Sequence, residues 1–479
     1  MTSTAVGQHV HFVGIGGAGL SALARLMLAQ GWRVSGSDRE AGPRLEALRK
    51  AGARVHVGHS ADHVADADLV VVSSAVPPDN PEVMAAQERG IPVYKRTQLL
   101  PQLTRGFDVI AVAGTHGKTT TTAMIALVLA DAGHDPTVVV GGDVPQLGGN
   151  ARVGRSSYFV LEADEYDYAF VGLEPLVAVV TNVEHDHPDM FADERDVWRL
   201  FAHFVSRIRP GGALVACHDD PGARLLTARA SGKAVLTYGT EPGVVWQVAD
   251  VCPNELGGTD FTVLRQGKPV ETIRLRVPGH HNVLNAMAAV AVADHLGVAL
   301  SRAKATLERF AGVARRFELV GRVGHVEIFD DYAHHPTEVE ATLQAARQRF
   351  GDRPVWVVFQ PHTFSRLATM LDRFAAAFTN ADRVIVSDVY AAREVNTFGV
   401  SAQDLVERLQ GPPATYAPTQ EVILELLGRE LPDDAAVFIL GAGDITALGP
   451  RLRQALAARS QAGPHVIDTM LGSGGRSKP

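Results

Sequence analysis

The stretch Ala111–Thr122, with the sequence AVAGTHGKTTTT, limits most strongly what this chain can fold into. An apolar run over Asp108–Ala113 predicts a buried strand, and the apolar positions after Lys118 predict a helix that ends at Gly133. A strand, a glycine-rich loop and a helix in this order form a cradle for phosphate groups. Backbone N–H groups and the helix N-terminus both face the anion in such a cradle.

The side chains of this loop predict its chemistry. Lys118 would reach terminal phosphates, and the Thr119 hydroxyl would ligate Mg²⁺. The loop is one residue shorter than the G-x-x-x-x-G-K-[ST] pattern, so a glycine-rich turn with a surface lysine is the alternative. Because Lys-Thr directly follows the second glycine, we interpret the loop as phosphate-binding. Its candidate residues are Gly114, Thr115, His116, Gly117, Lys118, Thr119 and Thr120.

Length and composition exclude several classes of protein. The 479 residues should form about three domains, and a net charge of −8 argues against a nucleic-acid binder. Cys217 and Cys252 are the only cysteines, which fits a reducing cytoplasm. We find no signal peptide and no apolar run near the roughly 20 residues that span a bilayer. We therefore expect a cytoplasmic protein without a membrane partner, and a disordered tail at 471–479.

The first segment, residues 1–105, carries a second glycine-rich loop. A strand over His9–Val13 precedes the sequence GIGGAG at Gly14–Gly19, and a helix follows from about Ala18 to Gln30. This G-x-G-x-x-G arrangement is typical of dinucleotide-binding folds, in which the loop binds a diphosphate. The motif alone is weak evidence, because glycines there also allow close packing of helix on strand.

Two further strands would place polar groups beside this loop. Arg33–Ser37 ends at Asp38, where such folds carry the acid that binds a ribose, and Leu69–Ser73 ends at Ser74. The pattern predicts a nucleotide-diphosphate site but does not decide between NAD and UDP. The candidate residues are Gly14, Gly16, Gly17, Ala18, Gly19, Asp38, Ser73 and Ser74.

The second segment, residues 106–313, contains two polar clusters that follow predicted strands. Glu162–Asp167, with the sequence EADEYD, follows a strand over Tyr158–Leu161. A carboxylate there is well placed for Mg²⁺, and a solvated acidic turn is the alternative. The run from Thr181 to His187 follows a strand over Leu176–Val180. Carboxylates dominate it, so we favour Mg²⁺ or Mn²⁺ supplemented by a histidine over a zinc site.

Two asparagines open a long apolar helix in the same segment. Asn282 and Asn285 lie one turn apart on one face. Such amides could recognise the edge of a nucleotide base or could cap the helix, and the residues alone leave both roles open.

In the third segment, residues 314–470, the pattern of alternating strands and helices resumes. Arg315 and Arg316 come first, and they could contact a phosphate or form a surface basic pair. Thr337 and Glu340 predict a capping box for the following helix. Four predicted strands then end in polar clusters, which predicts a ligand site at that edge of the sheet. These strands are Val326–Phe329, Val355–Phe359, Arg383–Ser387 and Ala436–Leu440.

The motifs in their order resemble those of the UDP-N-acetylmuramate–L-alanine ligases of bacterial peptidoglycan synthesis. The resemblance extends from Gly14 to about Gly443 and is specific through order and spacing. It is carried by GIGGAG, GTHGKTTTT, EADE, TNVEHDHPD, HNVLNA, RRFE, DDYAHHPTE, FQPHTFSR and GAGD. It implies an α/β fold with three domains: an N-terminal Rossmann-like domain (1–105) for the UDP-sugar, a central P-loop ATPase-like domain (106–313), and a C-terminal Rossmann-like domain (314–470).

The resemblance also implies residue roles. Lys118 and Thr119 would bind ATP phosphates and Mg²⁺, Glu162 and His187 would each ligate a metal, and Arg316 would approach the phosphates. Asn282 and Asn285 would contact adenine, and Tyr332, His334 and Arg366 would bind L-alanine. The implied reaction is ligation through an acyl phosphate, in which His334 or Asp331 would take the proton of the amine.

Two departures from the wider family bear on this assignment. Phe191–Ser206 contains no lysine, whereas sister ligases carry a carbamate-modified lysine there; the alanine-adding members generally lack it too. The Glu-Tyr-Asp form at Glu165–Asp167 also occurs in the recycling ligase that attaches a tripeptide, so that enzyme is an alternative. A P-loop regulatory ATPase or a nicotinamide dehydrogenase would each use one nucleotide site only. We expect a monomer or a weak homodimer.

Overall fold

The computed structural model describes residues 7–462, so the predicted tail at 471–479 lies outside it. The chain forms two units, of which the first ends at Ala314 and the second begins at Arg315. Within the described residues, the first unit contains a five-stranded and a ten-stranded sheet, and the second contains a six-stranded sheet. The mixed α/β architecture confirms the fold class that the sequence predicts.

The first sheet is entirely parallel, with the order β3-β2-β1-β4-β5. Its strands are β1 (His9–Val13), β2 (Arg33–Asp38), β3 (Arg54–Val57), β4 (Leu69–Val72) and β5 (Val93–Tyr94). Its helices are α1 (Ala18–Ala29), α2 (Pro43–Lys50), α3 (Pro81–Glu88) and α4 (Arg96–Leu103). Strand order reverses between β1 and β4, so the glycine-rich loop after β1 lies at the switch point where such sheets bind ligands.

The central sheet has the order β15-β14-β13-β12-β11-β10-β6-β9-β7-β8 and is parallel from β13 to β7. Its strands are β6 (Asp108–Ala113), β7 (Thr137–Val144), β8 (Gly149–Arg152), β9 (Tyr158–Glu162), β10 (Val177–Val180), β11 (Ala213–Cys217), β12 (Ala234–Gly239), β13 (Trp246–Pro253), β14 (Thr259–Arg265) and β15 (Lys268–Leu275). Its helices are α5 (Lys118–Asp131), α6 (Glu194–Ser206), α7 (Pro221–Leu226), α8 (His280–His295) and α9 (Leu300–Leu307). Sequence analysis did not predict the antiparallel extension β13–β15.

Both faces of the middle strands of the central sheet are buried, which explains the continuous apolar runs of β6, β10 and β11. Along β6, Ile110 and Val112 face a core closed by α5, α8 and α9. Val109 and Ala111 face a second core, which also includes Phe12 of β1 and residues of α1 and α4. The first two sheets therefore share a hydrophobic core, which is why residues up to Ala314 form one unit. The predicted domain boundary at residues 105 and 106 stays a prediction.

The sheet of the second unit has the order β16-β17-β21-β18-β19-β20, and only β16 is antiparallel to its neighbour. Its strands are β16 (Glu318–Val323), β17 (Val326–Asp331), β18 (Val355–Phe359), β19 (Arg383–Val386), β20 (Ala414–Tyr416) and β21 (Ala436–Leu440). Its helices are α10 (Pro336–Phe350), α11 (Phe364–Thr369), α12 (Leu371–Ala376), α13 (Ala402–Arg408), α14 (Gln420–Glu430) and α15 (Leu448–Ala462).

The capping box predicted at Thr337 and Glu340 is wrong. Helix α10 begins at Pro336, and its N-cap is His335, whose Nδ1 accepts a hydrogen bond from the Thr337 N–H at 3.3 Å. Proline is favourable at the first helical position because it has no N–H to satisfy. The helix therefore begins before the threonine that the pattern favours.

A buried carboxylate ties α3 to the first sheet. Glu82 has no exposed surface, and it accepts hydrogen bonds from the Ser37 hydroxyl at 2.5 Å, His63 Nδ1 at 2.6 Å and His59 Nδ1 at 2.9 Å. His11 Nε2 lies 3.5 Å from Glu82 Oε1, the oxygen that also accepts the hydrogen bond from His63. Burial alone would raise the pKa of Glu82, but these donors outweigh burial and lower it to about 2.

We expect Glu82→Gln to lower the free energy of unfolding at pH 7 by about 3 kcal/mol, because a pKa unit corresponds to about 1.4 kcal/mol. The folded pKa lies below the unfolded value of 4.5. The stabilisation is therefore complete above that pH and disappears as the pH falls through about 2. Urea unfolding of both proteins across this range measures it. Glu88→Gln, at an exposed position of the same helix, is the control. A difference independent of pH would contradict the assignment.

Candidate active site

The backbone of the predicted phosphate-binding loop requires both of its glycines. Gly114 and Gly117 have φ values of 142° and 78°, and α5 begins directly after Gly117. A Cβ on Gly114 would collide with the Thr181 hydroxyl, and one on Gly117 would lie 2.6 Å from Asn285 Oδ1. The loop is therefore closely enclosed by the segments that follow β10 and open α8.

Lys118 lies across the mouth of this loop. Its Nζ donates hydrogen bonds to the carbonyls of Gly114 at 2.7 Å and Thr115 at 3.0 Å, and to Glu165 Oε2 at 2.9 Å. Burial lowers the pKa of Lys118, but the surrounding carboxylates outweigh burial and raise it above its ordinary value. The ammonium therefore remains a cation at the position where a terminal phosphate would meet it.

Thr119 and Glu162 form a pair of oxygen donors beside the loop. The Thr119 hydroxyl donates to Glu162 Oε1 at 3.1 Å, and the Gly141 N–H donates to Oε2 at 2.7 Å. A hydroxyl and a carboxylate are the hard oxygen ligands that Mg²⁺ takes in proteins, usually together with phosphate oxygens. The pair fits the magnesium site predicted from the sequence.

His187 and Glu165 lie close together. His187 Nε2 is 3.8 Å from Glu165 Oε1, and the His187 ring packs 4.8 Å from that of Tyr166. Burial raises the pKa of Glu165 to about 7. His187 has a φ of 54°, a strained conformation that is common at functional sites. Glu165, which approaches both Lys118 and His187, is not among the site residues predicted from the sequence.

The first half of the loop is fastened to the segment after β10. His116 Nε2 lies 2.9 Å from Glu184 Oε2, and the His116 N–H donates to Asn182 Oδ1 at 2.8 Å. The Thr115 hydroxyl donates to the Glu184 carbonyl at 3.1 Å. Thr120 is buried on α5. These contacts position the loop, and the predicted contacts of His116 and Thr120 with ATP stay predictions.

The two asparagines of α8 are buried and bonded to the protein. Asn285 Oδ1 accepts from the Thr121 hydroxyl at 3.0 Å, and its Nδ2 donates to Asn282 Oδ1 at 3.3 Å. Asn282 Nδ2 donates to the Pro278 carbonyl at 2.7 Å. Asn285 therefore packs against the loop at Gly117 and bonds to Thr121 of α5. The predicted contact of Asn282 and Asn285 with adenine stays a prediction.

In the first sheet, Asp38 supports the second glycine-rich loop. The Gly16 N–H donates to Asp38 Oδ2 at 2.9 Å, and the Gly14 N–H donates to a backbone carbonyl of β2 at 2.8 Å. The Gly17 N–H bonds back to the Gly14 carbonyl at 3.2 Å, and α1 then begins at Ala18. Asp38 thus shapes the loop, and its predicted contact with ribose stays a prediction.

The acidic segment after β9 reaches this first site. Asp167 accepts hydrogen bonds from the Ser74 hydroxyl at 2.6 Å and from Lys95 Nζ at 3.0 Å. Ser73, one residue earlier, lies against Gly14. A Cβ added to Gly14 would be 2.8 Å from the Cβ of Ser73. Arg96 Nη2 lies 3.0 Å from Asp164 Oδ2. Lys95 and Arg96 are not among the residues predicted from the sequence, although both follow the carboxyl end of β5.

In the second unit, residues after β17 and β18 lie close together. His334 Nδ1 lies 2.9 Å from the Tyr332 carbonyl, and its ring meets that of His362 at 5.6 Å. Arg366 Nη1 lies 3.0 Å from His362 Nδ1. His362, which sequence analysis did not single out, therefore lies between His334 and Arg366; its place in the FQPHTFSR motif is the signal that could have identified it.

Asp331 and Arg316 support this cluster. The two carboxylate oxygens of Asp331 accept hydrogen bonds from the N–H groups of Phe317 and Ala333, both at 2.8 Å, and burial raises its pKa to about 6. The Arg316 guanidinium lies 5.2 Å from the centre of the Tyr332 ring. Because both Asp331 oxygens hold backbone groups, the geometry favours His334 over Asp331 as the acceptor of a substrate proton.

Three family models together cover most of the chain. "Mur ligase family, catalytic domain" matches residues 9–108, "Mur ligase middle domain" matches 112–293, and "Mur ligase, glutamate ligase domain" matches 315–443. The chain belongs to the Mur ligase family. Among residues 7–462, helices long and apolar enough to cross a bilayer are absent.

Its relatives within the family have a more specific name. UDP-N-acetylmuramate–L-alanine ligases from Frankia casuarinae and Paenarthrobacter aurescens are 48% and 45% identical to it; the alignments cover 94% and 93% of this chain and 98% and 97% of the relatives. The crystal structure of the UDP-N-acetylmuramate-alanine ligase from Thermotoga maritima aligns with a TM-score of 0.80 at 31% identity, covering 95% of this chain and 99% of that one. A murein peptide ligase from Psychrobacter arcticus aligns with a TM-score of 0.72 at 28% identity, covering 94% and 99%.

Proposed function

We propose that this chain is an ATP-dependent ligase that joins L-alanine to the carboxylate of UDP-N-acetylmuramate, releasing ADP and phosphate, in peptidoglycan precursor synthesis. The observation that carries the proposal is two glycine-rich loops, each at the carboxyl end of a parallel strand, in one unit. One presents Lys118 beside Thr119 and Glu162, and the other follows β1 at Gly14. The names of the closely related ligases support the choice of substrates.

The first step activates a carboxylate that is too stable to react with an amine. A carboxylate oxygen of the muramoyl group attacks the γ-phosphorus of ATP, the bond to the β-phosphate oxygen breaks, and ADP leaves. Lys118 and Arg316 would stabilise the charge that spreads over the transferring phosphoryl group. A magnesium ion held by Thr119 and Glu162, with His187 near a second ion, would neutralise phosphate charge.

The second step forms the amide bond. The deprotonated amine of L-alanine attacks the acyl carbon, and the bond to the phosphate oxygen breaks. Arg366 would pair with the α-carboxylate, and Tyr332 would lie beside the substrate. His334 would take the amine proton on Nε2, because its Nδ1 lies 2.9 Å from the Tyr332 carbonyl and would donate to it.

Other functions use less of the molecule. A P-loop regulatory ATPase would leave the glycine-rich loop after β1 without a role, and a nicotinamide dehydrogenase would leave Lys118 and Thr119 without one. The recycling ligase that attaches a tripeptide would use the same two nucleotide loops. A competition between L-alanine and the tripeptide distinguishes it from the alanine-adding ligase.

The proposal extends to the cellular context. ATP and UDP-sugars are cytoplasmic metabolites, and the two cysteines, Cys217 and Cys252, are both free thiols. We therefore propose that the enzyme acts in the cytoplasm on three small-molecule substrates. A monomer or a weak homodimer stays the prediction for its assembly.

We expect the enzyme to prefer free L-alanine over L-Ala-γ-D-Glu-diaminopimelate when the two compete at equal concentration. A carboxylate clamp beside the reacting amine suits a free amino acid, whose two groups are one carbon apart. Glycine should remain a poor substrate, because losing one methyl group costs only about 1–3 kcal/mol. Product analysis by mass spectrometry, coupled to ADP release, measures the preference. Faster ligation of the tripeptide would identify the recycling enzyme instead.

The same clamp can be tested by Arg366→Lys. We expect the KM for L-alanine to rise by about tenfold or more, because an ammonium cannot replace a bidentate guanidinium. The KM for ATP should change little. Arg373→Lys, at an exposed position of α12, is the matched control. Equal effects of Arg366→Lys on alanine and ATP would point to a general loss of structure.

A further inference from the structure

Arg96 lies between the two sheets of the first unit. It is the first residue of α4, and its Nη2 lies 3.0 Å from Asp164 Oδ2 and 3.4 Å from the Tyr166 carbonyl. Its Nη1 lies against the first turn of α1, where a Cβ on Gly19 would be 2.9 Å away. The last glycine of the GIGGAG motif therefore makes room for this guanidinium.

The Arg96 guanidinium lies where a bound anion would be stabilised. The first turn of α1 has N–H groups without helical partners, which give that end a partial positive charge and make a neighbouring cation unfavourable. Among residues 7–462, Arg96 reaches its protein acceptors through Nη2 alone. Nη1, the nitrogen beside Gly19, therefore keeps its N–H groups for another acceptor. Asp164 pairs with Nη2 of Arg96 and compensates its charge, but it does not bond to Nη1.

We propose that Arg96 binds the diphosphate of the UDP-sugar and that Asp164 is the positioning residue that orients its guanidinium. The inference rests on the proposed function, to which it adds a residue that recognises the substrate. A guanidinium offers several N–H donors in one plane, so it can bind phosphate oxygens while Nη2 stays on Asp164. The carboxylate comes from the segment after β9, so the central sheet would hold in place a residue that binds substrate on the first sheet.

Lys95 allows a specific contact of Arg96 with the diphosphate to be distinguished from a general attraction between positive charge and a polyanion. It carries the same charge one residue earlier, but its Nζ pairs with Asp167 at 3.0 Å and its side chain is half exposed. A nonspecific attraction for polyanions would depend on both residues about equally. A specific contact would depend on Arg96 alone.

The test is calorimetric titration of the full chain with UDP and, separately, with uridine. We expect Arg96→Met to weaken UDP binding by at least about tenfold and Arg96→Lys to weaken it less, because lysine keeps the charge but loses the fork. Uridine binding should not change, because uridine has no phosphate. Lys95→Met should weaken UDP binding by less than about threefold, as expected for an exposed charge. Circular dichroism and thermal melting check that each variant is folded.

The role of Asp164 is tested by a double-mutant cycle. Asp164→Asn should weaken UDP binding in the wild-type background and have no further effect in the Arg96→Met background. An equal effect in both backgrounds would overturn the positioning role, because Asp164 would then act without Arg96.

The remaining outcomes separate the inference from the proposed function. If Arg96→Met binds UDP as tightly as the wild type, or loses uridine and UDP equally, the inference fails while the ligase function stands. If the wild-type chain binds no UDP and releases ADP without UDP-N-acetylmuramate or L-alanine, the proposed function itself fails.

Discussion

Replacing Lys118 with alanine is expected to reduce turnover by at least about 100-fold, the order of effect seen when one charge-stabilising group is removed from an active site. The ammonium lies among the Gly114 and Thr115 carbonyls and Glu165, at the mouth of the loop. No other cation of the loop can take its place, since Lys118 is the only lysine or arginine between Gly114 and Thr122. A coupled assay of ADP release measures the loss.

The same variant should still bind the UDP-sugar. The glycine-rich loop after β1 belongs to the first sheet, and its hydrogen bonds run to Asp38 and to β2. Titration with UDP-N-acetylmuramate should give an affinity within about twofold of the wild type, as expected for a distant, independent site. Lys304→Ala, at a partly buried position of α9 where the lysine pairs with Glu271, is the matched control for removal of a lysine. Loss of UDP-sugar binding by a folded Lys118→Ala protein would contradict the layout of two separate sites.

Glu162→Gln is expected to raise the Mg²⁺ concentration that gives half-maximal activity by about tenfold or more, because loss of a ligand or its charge weakens a metal site to that extent. Glutamine has nearly the same shape and can still accept the Gly141 N–H, so the change removes charge while the loop stays in place. His187→Ala should shift the metal dependence in the same direction. Titration of activity with Mg²⁺ and with Mn²⁺ measures both effects.

Glu174→Gln is the matched control for Glu162, because its side chain is 66% exposed and pairs with Arg207 at the surface. It should leave the metal dependence unchanged. If Glu162→Gln lost activity with an unchanged requirement for metal, Glu162 would not be a metal ligand, and its contacts with Thr119 and Gly141 would explain the loss instead.

Much of the fold followed from local patterns. The strand predicted over Asp108–Ala113 is present with the same bounds, and the helix begins at Lys118 after a left-handed glycine. The strands over His9–Val13 and Val355–Phe359 also have the predicted bounds. These predictions succeed because alternation, apolar runs and glycine act within a few residues of one another. The antiparallel strands β13–β15 are amphipathic and partly exposed, so their pattern is weaker and was missed.

The sequence by itself determined the two glycine-rich loops, the acidic segment after β9 and the polar cluster after β17, since each is a contiguous motif at the end of a strand. Only the tertiary structure decided their partners. Glu165 bonds to Lys118, which is 47 residues earlier in the chain. Arg96, beside the first sheet, pairs with Asp164, which follows β9 of the central sheet. Asp38 accepts a hydrogen bond from the Gly16 N–H of its own loop, and its contact with ribose stays a prediction. Such pairings depend on how buried strands and helices stack. Many distant residues act together in that stacking, so no short stretch of sequence encodes it.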